Sequence, residues 1–84
     1  MSKEELEVAV ASAKLEAAQA KADFAKKEWD RNKRLYDPAK APEDNAVSLS
    51  DVDAAECNYK VAAAEVKQAT AELEIAKLDL PKQG

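Results

Sequence analysis

The fold class that the sequence predicts is all-α: an antiparallel two-helix coiled-coil hairpin. Three observations predict it. Glycine occurs once in 84 residues, aromatics make up 5% and charged residues 36%, a composition of long helices rather than of a compact mixed fold. Apolar residues recur at alternating spacings of three and four on both sides of the chain's middle, which is the coiled-coil period. Between those two stretches the pattern stops at "DPAKAPEDN" and restarts at a serine. A chain this short forms one small domain and buries a modest fraction of its surface.

Helix one is expected from about Lys3 to Tyr36. No Gly or Pro interrupts it, and most of its residues are strong helix formers. Glu4, Glu5 and Glu7 near its start and Lys33 and Arg34 near its end suit the helix dipole. Pro38 disfavours a helical conformation at Asp37 and marks the stop. A tip loop follows over about 37–47. Helix two is expected over about 48–79, ended by Pro81. "SLSD" reads as a capping box, with Ser48 at the cap and Asp51 three residues on, and Val47 can staple onto Val52. At 1.5 Å per residue the helices would be about 50 and 45 Å long, so a connection this short folds them back antiparallel.

The seam can be followed residue by residue. In helix one it runs through Val8, Ala11, Leu15, Ala18, Ala22, Ala25, Trp29, Asn32 and Tyr36. In helix two it runs through Val52, Ala55, Tyr59, Ala62, Val66, Ala69, Leu73, Ala76 and Leu80. One register sets Leu15 against Ala76, Ala18 against Leu73, Ala25 against Val66 and Trp29 against Ala62, so that large meets small in each layer. A neighbouring register also brings apolar rows together. Each helix carries a second apolar row. It is Leu6, Val10, Ala13, Ala17, Ala20 and Phe24 in helix one. In helix two it is Ala54, Cys57, Val61, Ala64, Ala71, Ile75 and Leu78. Either these rows are a broad stripe of helix-favouring small residues, or they pack sideways against further copies or another protein.

Composition excludes several functions. The net charge is −4 and histidine is absent. No general basic surface exists for nucleic acid, and the usual general base and metal ligand are missing. Two helices make no cleft, so no enzyme, cofactor or metal site is expected. The single cysteine allows no internal disulfide. Cys57 reads as a small apolar residue of helix two. No apolar run is long enough to span a bilayer, and no signal peptide opens the chain. The expectation is either a cytosolic protein or a piece whose targeting segment lies elsewhere.

The restart "AVSLSDVDAAE" resembles the start of the second hairpin helix in HlyD-family periplasmic adaptors, also called membrane fusion proteins. Ala46, Val47, Ser48, Asp51, Val52, Asp53 and Ala55 fit the pattern. "AKKEWDRNKRLYD" is similar to the family's end of the first helix. Trp29 stands there at an aromatic position, and Arg31 and Leu35 at its Arg-x-x-x-Leu spacing. "AAAEVKQATAELEIAKLDL" resembles the helix returning toward a lipoyl-like domain.

The resemblance implies a periplasmic protein anchored to the inner membrane of a Gram-negative bacterium. Its hairpins would pack against neighbouring adaptor copies, as a homo-oligomer, or as a dimer when excised. Their tips would dock on a TolC-type outer-membrane channel, with an inner-membrane transporter reached through domains outside this segment. The partner-binding residues carried over are Arg31, Leu35 and Ser48. The other class of function is a structural coiled-coil arm, such as a dimerisation hairpin or a prefoldin-like holdase.

Each carried-over residue also has a local explanation. Ser48 caps a helix, and Arg31 could pair with Asp51 or Asp53 of the other helix. Leu35 lies off the seam, where partner contact is the better expectation. Trp29 and Tyr59 read as core. The connection from Leu35 to Ser48 is lengthened, relative to the family pattern, by the insertion "DPAKAPEDN". That insertion is expected to be a solvated loop that adapts the tip to a particular channel.

Overall fold

The computed structural model describes residues 1–81. Helix α1 spans Lys3–Leu35 and helix α2 spans Leu49–Leu78, with a single 3-10 turn at Pro42–Asp44 between them. The two helices pack antiparallel into a rod of 68 × 16 × 14 Å. No strand occurs among the described residues.

Each helix begins with a reciprocal cap. At α1, Ser2 Oγ accepts from the Glu5 N–H at 3.1 Å and Glu5 Oε1 accepts from the Ser2 N–H at 3.4 Å. This box at Ser2 is legible in the sequence as S-x-x-E, although only the one at Ser48 was read there. Glu4 and Glu5 sit in the first turn, and Lys33 and Arg34 in the last, so both ends complement the helix dipole. The helix stops at Leu35, one residue before the expected boundary at Tyr36. Tyr36 is the C-cap, with extended backbone, and its N–H donates to the Asn32 carbonyl at 3.0 Å. Pro38, two residues on, has no backbone N–H to donate and disfavours helix at Asp37. At the far end, the Asp79 N–H closes the last turn onto the Ala76 carbonyl at 3.2 Å.

Both helices bury the face that the three-four spacing marks out. Every seam position is buried or half-buried, and every position of the two second rows is exposed. All the fully buried residues except Leu73 are alanines, and Ala62 is the most enclosed at 1% exposure. Small side chains let two helices approach closely, but each buried methyl stabilises by only about 0.8 kcal/mol. The larger contributions come from the two ends of the shaft. At the base, Ala11, Leu73 and Ala76 form a cluster with Val8 and Leu15 against it. Toward the tip, Trp29 stacks on Tyr59 with ring centroids 5.5 Å apart and planes 27° from parallel. The expected register set Trp29 against Ala62, large against small, but the helices take the neighbouring register, about one turn along, in which Trp29 meets Tyr59 and Lys21 meets Glu65. Two large rings therefore share a layer, a geometry worth about 0.5–1.5 kcal/mol beyond burial. Lys33 Nζ lies 4.0 Å from the Trp29 ring centroid and extends the stack outward.

Candidate functional site

The tip is built from the last turn of α1, the loop, and the first turn of α2. Arg31 is exposed and its guanidinium bonds to Glu28 Oε1 at 2.9 Å on its own helix. The sequence reading offered Asp51 or Asp53 as partners. Glu28, three residues back on α1, is a nearer neighbour along the helix surface, and Asp51 is engaged elsewhere. Leu35 is the last residue of α1 and stays 46% exposed. It stands one turn beyond Arg31, on the same face. The helix therefore presents a charged and an apolar side chain together at its end.

Ser48 lies at the same end of the rod, as the N-cap of α2. Its Oγ accepts from the Asp51 N–H at 3.0 Å, and Asp51 Oδ2 accepts from the Ser48 N–H at 2.9 Å. Hydrogen bonds from the Ser48 backbone first, and from its side chain second, hold the Asp51 carboxyl below its ordinary range. Capping uses one lone pair of the hydroxyl and turns its proton toward the Asp51 carboxylate, which leaves the other lone pair to accept from a partner. Val47 and Val52, on either side of the cap, are both half-buried.

The loop is exposed, as expected for an insertion of this composition, but it is not slack. Asp37 opens a turn: the Lys40 N–H donates to its carbonyl at 3.2 Å and the Ala39 N–H to its Oδ1 at 2.9 Å. Pro38 at the second position of that turn presets the backbone. Pro42 then starts the 3-10 turn, closed by the Asp44 N–H on the Ala41 carbonyl at 2.9 Å and the Asn45 N–H on the Pro42 carbonyl at 3.3 Å. The two ends of the loop are joined by the Asn45 side chain. Its Oδ1 accepts from the Asp37 N–H at 2.8 Å and its Nδ2 donates to the Asp37 carbonyl at 3.0 Å.

Two features of the tip were not found in the sequence. The Asp-Pro step signals a turn, but no local pattern tells that Asn45 closes it from eight residues away. Leu49, the first residue of α2, is 54% exposed and adds an apolar side chain on the second helix.

The model for "RND MFP, alpha-helical hairpin domain" matches residues 7–82, which takes in all but the first turn of α1, the whole tip and all of α2. The chain belongs to that family. No curated protein and no solved structure gives a significant match. The RND membrane fusion proteins are adaptors, a non-enzymatic role. They are periplasmic, anchored to the inner membrane in Gram-negative bacteria, and they assemble with an outer-membrane channel and an inner-membrane transporter. No helix among the described residues of this hairpin is long and apolar enough to cross a membrane. It is the hairpin part of such an adaptor that these residues form.

Proposed function

We propose that this hairpin docks its tip onto a TolC-type outer-membrane channel through Arg31, Leu35 and Ser48. In doing so it couples the channel to an inner-membrane transporter, from a periplasmic adaptor anchored to the inner membrane. The observation that carries the reading is the exposure of Leu35 at the end of α1, one turn from Arg31, within a chain of the RND membrane fusion family. An apolar side chain at the end of a rod finds no cover within its own hairpin, whereas a partner's helices would bury it. Ser48 sets the direction in which α2 returns and keeps one lone pair of its hydroxyl free beside that surface.

The shaft belongs to the same proposal. Leu6, Val10, Phe24, Val61, Ile75 and Leu78 are all exposed, with Phe24 at 65%. Burying a side chain of this kind is worth roughly 1.5–3 kcal/mol at best, which favours lateral packing against neighbouring copies of the adaptor. The isolated hairpin is accordingly expected to form dimers.

The test changes Arg31→Asp together with Leu35→Ser in the adaptor, in cells that carry its own transporter and channel. The double variant should accumulate and form adaptor assemblies yet lose export. Undiminished export would refute the docking surface.

A further inference from the structure

We propose that Asn45 is a positioning residue for the docking surface. Its side-chain amide clasps the backbone of Asp37 and holds the end of α1 against the start of α2. The proposal rests on the docking reading above and deepens it, because it says what keeps Leu35 and Ser48 in one surface.

Packing does this only in part, through the half-buried Tyr36, Val47 and Val52. From Asp23 to Ala54 no residue is fully buried, and the stacked pair of Trp29 and Tyr59 lies down the shaft from both helix ends. Left open, the connection from Leu35 to Ser48 would be a tether whose ends close only at an entropic cost. The clasp shortens it. Asp37 and Asn45 are half-buried, whereas every residue of 38–44 is exposed. The body of the loop therefore lies beyond a closed neck, and only a few residues on either side of the neck connect it to the helices.

The chemistry of the clasp calls for an amide. Asn45 uses Oδ1 to accept from the Asp37 N–H and Nδ2 to donate to the Asp37 carbonyl. A carboxylate in its place would keep the acceptor and lose the donor, and an alanine would lose both. The backbone N–H of Asn45 is engaged as well, on the Pro42 carbonyl. Residue 45 thus ends the 3-10 turn and closes the neck at once, so the loop body and the neck are held by the same residue.

The experiment compares Asn45→Ala, Asn45→Asp and the Arg31→Asp/Leu35→Ser double variant. Each is placed in the adaptor in cells with its own transporter and channel, and each is also made as the 84-residue hairpin. In the hairpin, Asn45→Ala should leave helix content and melting temperature near wild type while amide exchange at Asp37 quickens about tenfold, the effect of losing one ordinary hydrogen bond. In cells it should lower export toward the level of the double variant, with Asn45→Asp in between. If Asn45→Ala exports like wild type while the double variant does not, the docking surface stands and the positioning role of Asn45 is overturned. If the double variant itself exports normally, the docking reading fails first, and the clasp has nothing to position. If Asn45→Ala loses helix content along with export, Asn45 is a general stabiliser and the inference is likewise overturned.

Discussion

The shaft and the tip of this hairpin are held by opposite means. The shaft is joined by apolar contact along an alanine seam, with Lys21 and Glu65 bridging the helices at 3.0 Å on the exposed side. An exposed pair of that kind contributes about 0–1 kcal/mol, so burial carries the shaft. The tip has no fully buried residue, yet its bonds are dense: the Ser48–Asp51 box, the Asp37 turn, the 3-10 turn and the Asn45 clasp. Apolar packing is non-directional and tolerates a sliding neighbour, which suits a surface along which copies associate. Hydrogen bonds fix direction and distance, which suits a surface that must meet one partner.

The largest effect should come from the shaft. Leu73 is the one large side chain among the fully buried residues and sits in the base cluster. Leu73→Ala should cost about 2–3 kcal/mol, a large share of the stability of a hairpin whose other buried side chains are alanines. Urea unfolding followed by circular dichroism measures it. A loss within the error of the measurement would mean that the seam is not what holds the shaft.

A smaller effect is expected at the tip, and there the two roles of Ser48 can be separated. Ser48→Ala removes the cap and should cost about 1 kcal/mol. Ser48→Asp keeps a good cap and should leave thermal stability close to wild type, while replacing the hydroxyl that a partner would meet. Export reduced by both variants, with stability lowered in only one, would tie docking to the hydroxyl. Export that tracks stability alone would reduce Ser48 to a cap.

The smallest effect is a titration. The Asp51 carboxyl is held below its ordinary value of 3.8 by Ser48, so between those two values the unfolded chain binds more protons than the folded one. The stability gained is therefore present above pH 3.8 and is lost as the pH falls through the lowered folded value. Carbon-detected NMR of the Asp51 carboxyl should show a midpoint under 3.8 in the wild type and closer to it in Ser48→Ala. A midpoint at or above the ordinary value would remove the reciprocal cap from the description of the tip.

The same contrast explains what could be read from the residues beforehand. The seam from Val8 to Tyr36 and from Val52 to Leu80, and the exposed second rows, follow from a helical period that every turn of the chain repeats. The Ser48 box is a four-residue pattern, and so is the overlooked one at Ser2. What escaped depends on which distant residues meet. Trp29 takes Tyr59 and not Ala62 because the helices settle about one turn along from the expected register, and since both registers bring apolar rows together, spacing alone does not decide between them. Arg31 takes Glu28 because the nearest carboxylate lies on its own helix. The Asn45 clasp joins residues that no helical or strand period relates, and Leu49 is exposed because the loop delivers α2 with that side outward. Of the candidate site, Arg31, Leu35 and Ser48 were legible through the family pattern, whereas the clasp that would hold them in place was not.

The proposed contrast between a docking tip and an associating shaft is tested most directly by site-specific photo-cross-linking in cells. A photoreactive side chain would replace Leu35 in one adaptor variant and Ile75 in another, with the native transporter and channel present. The account predicts that position 35 captures the outer-membrane channel and that position 75 captures neighbouring adaptor copies. Capture of adaptor copies alone from position 35, with the channel never cross-linked there, would contradict it.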